Sequence, residues 1–329
     1  MHRSLKKVQA VLTGLAAALA LFVAAPVQAQ QWPTKPITLV VPFPPGGGTD
    51  AFARPLAVQL TKQLGRQIII DNRGGAGGTL GASFAAHAAP DGYTWLIGAL
   101  HHAIAPAFYP KLDYDVERDL VPLTTIAQPP QVIVVNAQKL PVRNLQEMLA
   151  QVRSRPGKFN YGSAGNGTSH HLAGELFKQL TKTYITHIPY RGAGPALQDL
   201  IAGQVEIMFD GLGSSAQHIK AGRIRALAVA SAKRAPGFPD VPTAAEAGLK
   251  GYEVSTWYAL FGVKGAPKDI LDRMHAETVK AIQTPELREV WTSNGSESTT
   301  MGQEQFAAYL KSEIARWAKV TRESGAKLD

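Results

Sequence analysis

Twice in this chain a short apolar strand runs through a glycine-rich turn into an amphipathic helix, and that repeated junction constrains the fold most. Ile37–Val41 is apolar, Phe43-Pro-Pro-Gly-Gly-Gly-Thr-Asp50 follows, and Leu56, Leu60 and Leu64 then recur at helical spacing. Phe159-Asn-Tyr161 leads likewise into Ser163-Ala-Gly-Asn-Gly-Thr-Ser169, after which Leu172, Leu176, Phe177 and Leu180 mark one helical face. Gly165 and Gly167 let the backbone approach whatever lies above the turn, and Thr168 or Ser169 suits the helix cap. The first N–H groups of such a helix lack internal acceptors and sit at the positive end of its dipole, which suits a carboxylate or a phosphate. Neither turn carries the lysine of a P-loop, so carboxylate is the better match.

Elsewhere short apolar runs alternate with amphipathic ones, the pattern of parallel α/β layers. Strands are expected at Gln67–Asp71, Tyr93–Gly98, Leu120–Ala127, Val132–Asn136, Tyr184–Ile188, Val205–Phe209, Arg225–Ala230 and Val254–Val263. A helix from Asn144, with Glu147 three residues on, has a capping-box pattern. Helices over Lys268–Ile282, Pro285–Ser293 and Gln303–Glu323 close the chain. Two such βα systems joined more than once predict an α/β, two-lobed Venus-flytrap arrangement. Lobe 1 is placed at residues 30–128 plus 253–329 and lobe 2 at 129–252, with crossovers near 128–130 and 251–255.

The N-terminus reads as an export signal. Arg3, Lys6 and Lys7 precede the apolar stretch from Val8 to Ala25, and Val27-Gln-Ala29 suits cleavage after Ala29. Without those three cations the formal charge falls from +9 to +6, and the remaining excess is dispersed. A diffuse positive field steers small anions; nucleic-acid binding would want a clustered basic stripe. The chain has no cysteine, which excludes disulfides, thiol catalysis and a lipid-anchored cysteine.

Several motifs together carry a resemblance. They include Trp32-Pro-Thr-Lys-Pro-Ile37, Asp71-Asn-Arg-Gly-Gly-Ala-Gly-Gly78, Pro90-Asp-Gly-Tyr93 and Tyr161-Gly-Ser-Ala-Gly-Asn-Gly-Thr168. Pro189-Tyr-Arg-Gly-Ala-Gly-Pro-Ala196, Gly203-Gln-Val-Glu-Ile-Met-Phe-Asp210 and Val241-Pro-Thr-Ala-Ala-Glu-Ala-Gly248 complete the series. The chain resembles the Bug/TctC family, periplasmic substrate-binding proteins of tripartite tricarboxylate transporters. The resemblance implies a type II periplasmic-binding fold, a soluble monomer without cofactor or metal, and a membrane permease as partner. It implies a ligand carboxylate held by main-chain donors from one turn in each lobe. The first-lobe turn supplies Phe43, Pro45, Gly46, Gly47, Thr49 and Asp50; the second supplies Ser163, Gly165, Asn166, Gly167 and Thr168. Asp210 is expected to face the cleft and accept from a ligand amine or hydroxyl. His101 and His102, where relatives carry small polar residues, are candidate ligand contacts, and Tyr190 is a third. The ligand class spans dicarboxylic amino acids, tricarboxylates and aromatic or pyridine carboxylates.

Competing readings are weaker on the residues. Gly75-Ala-Gly-Gly-Thr-Leu-Gly81 does not have the dinucleotide spacing. His101-His102 has no further ligand at i+4, and His170-His171 has only Glu175, four residues after His171, too few for a metal site. One of His170 and His171 is expected to reach the cleft and the other to lie on the surface. Ser163 with a histidine and Asp210 invites an exported serine hydrolase, but Tyr161-Gly-Ser-Ala-Gly165 is not the nucleophile elbow. Trp257 and Tyr258 are assigned to hinge packing. The expected function is therefore non-enzymatic capture of a small carboxylate, with a hydrolase or a ligand-dependent partner of a sensor kinase as alternatives.

Overall fold

The computed structural model describes residues 32–324, so the expected signal and its cleavage point after Ala29 lie outside the described residues. Residues 32–34 belong to a short separate unit, and one compact body begins at Lys35. That body opens with β1 (Ile37–Val41), α1 (Gly48–Leu64), β2 (Ile68–Asn72), α2 (Thr79–Ala86), β3 (Thr94–Ala99), α3 (His101–Phe108) and β4 (Leu120–Ala127). A second set follows: β5 (Gln131–Val135), α4 (Leu145–Ser154), β6 (Asn160–Ser163), α5 (Ser169–Thr181), β7 (Thr186–Pro189), α6 (Ala193–Ala202), β8 (Ile207–Gly211), α7 (Leu212–Lys220) and β9 (Arg225–Val229). The chain ends with β10 (Tyr258–Val263), α8 (Lys268–Ile282), α9 (Pro285–Ser293) and α10 (Gln303–Ser324).

Two five-stranded sheets result, ordered β2-β1-β3-β10-β4 and β7-β6-β8-β5-β9. In each, four strands run one way and a fifth is inserted antiparallel: β10 between β3 and β4, β5 between β8 and β9. β10 follows the whole second sheet in sequence yet pairs in the first, so the chain passes between sheets twice. The two passages hold each other. Pro130 bridges Ser255, Gln131 N–H donates to the Val254 carbonyl at 3.0 Å, and Thr256 N–H to that of Pro129 at 3.2 Å.

The continuous apolar run of β5 serves both faces of its sheet, as expected of a strand covered on each side. Ile133 and Val135 enter a core with Phe159, Phe177, Phe209 and Tyr252, while Val132 and Val134 enter another with Leu197, Met208 and Leu212. In the first sheet, Leu96, Trp257 and Phe261 pack with Phe306 and Leu310 of α10, which fastens the chain's end to the lobe where it began.

Two local outcomes bear on the site. The helix that carries Leu56, Leu60 and Leu64 starts as early as Gly48, because Gly46 at φ +87° turns the chain and frees Gly47 to act as its cap. A helix not anticipated from sequence, α3, begins at His101. The Leu100 N–H donates to the Trp257 carbonyl at 3.2 Å and fixes its start, while Pro106, with no N–H to donate, limits the helix to a short piece.

Candidate functional site

A narrow cavity lies between the two sheets, lined by Phe43, Gly47–Thr49, Ala99, His101, Ala164, Thr168–His170, Ala193, Thr256 and Tyr258. Four helix starts meet there: α1 at Gly48, α3 at His101, α5 at Ser169 and α6 at Ala193. Gly47, Leu100 and Gly192 offer no side-chain cap to α1, α3 and α6. Thr168 caps α5, its hydroxyl accepting from His171 N–H, which leaves the N–H groups of Ser169 and His170 without a helical acceptor. Each helix start carries about half a positive charge. Among the described residues, no lysine, arginine, aspartate or glutamate lines the cavity. The wall therefore attracts an anion through backbone dipoles and hydroxyls, with no full counter-charge.

The lobes touch around this cavity. A Cβ on Gly46 would lie 3.8 Å from Gly194 Cα, one on Gly194 only 2.3 Å from the Pro45 carbonyl, and one on Gly77 3.0 Å from the Asn166 carbonyl. Tyr109, just after α3, donates its hydroxyl to that same Asn166 carbonyl at 3.1 Å. Small residues at both rims are what permit this approach.

Of the residues singled out from sequence, Phe43, Gly47, Thr49, His101 and Thr168 lie on the cavity wall. Others are placed elsewhere, for definable reasons. Pro45 and Gly46 form the outer rim against Gly194. Asp50 turns inward, accepting from Gly46 N–H, Asn72 and Arg54. Gly165 and Gly167 shape the second turn at φ +125° and +71°, and Asn166 meets Tyr109, but none of the three lines the cavity. The Tyr190 hydroxyl donates to Asp199 at 2.8 Å, away from the wall.

His102 is wholly buried behind His101. Its Nδ1 accepts the Ala99 N–H at 3.2 Å, and its Nε2 lies 3.1 Å from His101 Nε2. An acceptor Nδ1 puts the ring proton on Nε2, so His102 donates to His101. Burial lowers both histidines, His102 to about 3, and keeps them neutral.

Asp210 does not reach the cleft. It is fully buried, and its Oδ2 accepts from Ser214 and Ser215 at 2.7 and 2.5 Å. His170 stands between it and the cavity. His171 is not on the surface; its ring stacks on His187 at 4.2 Å and accepts the Gly167 N–H at Nδ1.

Ser163 is buried, with its hydroxyl 2.7 Å from His187 Nε2 and accepting the Gly165 N–H at 3.0 Å. This Ser–His contact faces the second-lobe core, away from the cavity, and burial lowers His187 to about 3, too weak a base to activate the serine near neutral pH. Sequence reasoning missed Gly48, Ala99, Ala164, Ala193, Thr256 and Tyr258. Tyr258, assigned to packing, does stack on Phe52, yet its hydroxyl end reaches the wall beside Gly48. Trp257 is core.

Comparison with known proteins agrees with this architecture. The chain is 41% identical over 311 residues to a UPF0065 protein from the tcbD–tcbE intergenic region of a Pseudomonas species, covering 94% of this chain and 92% of the relative. A Rhodopseudomonas palustris protein solved with adipate superposes with a TM-score of 0.86 at 36% identity, over 90% of this chain and 99% of that one. MatC from R. palustris, solved with bound malate, gives 0.81 at 36% identity, over 88% and 99%. The tripartite tricarboxylate transporter family receptor, TctC, matches residues 52–326. With its two crossed-over sheets and a cavity between them, this chain belongs to the TctC family of periplasmic solute-binding proteins.

Proposed function

We propose that the protein captures a small aliphatic dicarboxylate between two lobes and hands it to a membrane permease of the tripartite tricarboxylate transporter type. The convergence of four helix starts on a cavity with no lysine or arginine among its described lining residues carries this reading. Main-chain donors satisfy a carboxylate, and closure strengthens them by excluding water. Relatives solved with malate and adipate support the dicarboxylate class. The lobes are taken as residues up to 128 with 253 onward, and 129–252, hinged at the paired passages. The protein acts as an exported, periplasmic monomer without cofactor, and the binding reading needs no catalytic step.

A thermal-shift panel tests this. Malate, succinate, adipate and citrate, each beside its amide, with nicotinate and benzoate for contrast, should give a saturable rise with an aliphatic diacid and none with its diamide. Stabilisation follows RT ln(1 + [L]/Kd). No rise with any acid would refute the reading.

The rim contact adds a smaller expectation. Tyr109→Phe removes a hydrogen bond made only when the lobes meet, worth about 1 kcal/mol. Affinity for the acid that binds best should fall about fivefold by titration calorimetry, with the melting temperature of the free protein unchanged.

A further inference from the structure

Behind the cavity wall lies a pair of titratable groups that carboxylate capture by backbone donors does not use. His170, on the second residue of α5, lines the cavity, while its Nδ1 points to Asp210 Oδ1 at 3.5 Å. Both of these atoms are buried and neither has another hydrogen-bond partner. The remaining Asp210 oxygen is held by Ser214 and Ser215 at the start of α7; burial raises Asp210, and His170 and these hydroxyls oppose it by favouring the carboxylate. An imidazole whose Nδ1 edge faces a carboxylate keeps its Nδ1 proton there and presents a bare Nε2 on the opposite edge.

A bare Nε2 repels a ligand carboxylate, whereas a protonated one donates to it. Building on the dicarboxylate reading, we propose that ligand capture takes up one proton, held by His170 Nε2 between Asp210 and one ligand carboxylate. The proton comes from bulk buffer or rides in on the acid, and returns on release. His170 is thereby a specificity-determining residue. It favours an acid at its end of the cavity over an amide, because only an anion makes the imidazolium worth forming.

The groups around the pair agree with this direction. His101 on α3 is held neutral by burial, so it does not oppose a second positive charge in the cavity. Tyr258 on β10 stays a phenol, its ionisation pushed up by burial and then by Asp210. His218 on α7 is lowered by burial and by Arg223 and is also neutral. Burial lowers His170 itself, with Asp210 opposing, so the free site begins without the extra proton.

Titration calorimetry of the intact protein with malate and with adipate, at pH 8 in buffers of different ionisation enthalpy, tests this directly. The slope of observed heat against buffer enthalpy is expected to show uptake of about one proton per ligand. Affinity should fall about tenfold per pH unit where the free site is unprotonated. In His170→Gln, which can still donate a hydrogen bond, and in Asp210→Asn, the slope should drop to near zero while some binding survives. A purely structural role for either residue would weaken binding and leave the slope unchanged. Tight binding of either acid without proton uptake overturns this inference and leaves the dicarboxylate reading standing. Binding of neither acid overturns both.

Discussion

A Ser169→Pro variant is expected to fold normally and to bind its carboxylate about 30-fold more weakly, a loss of ~2 kcal/mol for one charge-assisted hydrogen bond. Ser169 is the first residue of α5, where proline is favoured and the N–H it removes has no helical acceptor. Thr168 before it has φ −86° and ψ 161°, the extended conformation that a following proline requires. The Thr168 cap on His171 survives. What disappears is a main-chain donor and a hydroxyl on the cavity wall. Ser169→Ala separates the two, since it loses the hydroxyl alone and should cost only a few-fold. The neighbouring position would be the wrong choice: Thr168 N–H already donates to the Gly165 carbonyl at 3.3 Å, so proline there cuts a turn bond. Calorimetric titration of both variants, with circular dichroism to check folding, decides. Wild-type affinity in a folded Ser169→Pro protein would show that α5 does not hold the anion.

The two glycine turns were readable in advance because each places a helix start after a strand, and local chemistry alone specifies that. Which neighbour then faces the cavity was not readable. Ala164 lines it while Ser163 turns to His187, and Thr49 lines it while Asp50 turns to Arg54. Side chains of adjacent residues diverge, so an error of one position exchanges wall for core. The same holds for His170 and His171, whose order is decided by how α5 docks on the second sheet. Ala193 and Tyr258 arrive from a third turn and from the returning strand β10, and no local pattern marks either as facing a ligand. The short helix α3 escaped because it is eight residues long, contains Pro106 and is buried on nearly every side, so no polar face marks it. Its position rests on a tertiary bond to Trp257.

Acidification supplies the second large effect. Between pH 8 and pH 5 the free protein is expected to lose about 3 kcal/mol of stability and about 8 °C in Tm. Burial depresses His102 and His187 to about 3, against about 6.5 in an unfolded chain. A depressed group contributes stability that is complete above its unfolded value and drains away as pH falls toward the folded one. For the fully buried His102 the loss at pH 5 is about 2 kcal/mol. The half-buried His187 contributes less because solvent screens it. His101 and His170, also lowered by burial, act in the same direction. Asp210 acts oppositely: burial raises it, so its contribution is present at low pH and lost as pH rises, which offsets part of the fall. Geometry supplies the reason for the histidines. The Ala99 N–H points at His102 Nδ1, so a proton there would face another proton, and protonated His187 would stack on the His171 ring at 4.2 Å. Calorimetric melting across this range measures the slope, and His187→Gln should flatten it. A basic chain also repels itself more in acid, and that repulsion and the His102 contribution both remain in His187→Gln, so an unchanged slope in the variant would show that His187 takes no part in the loss.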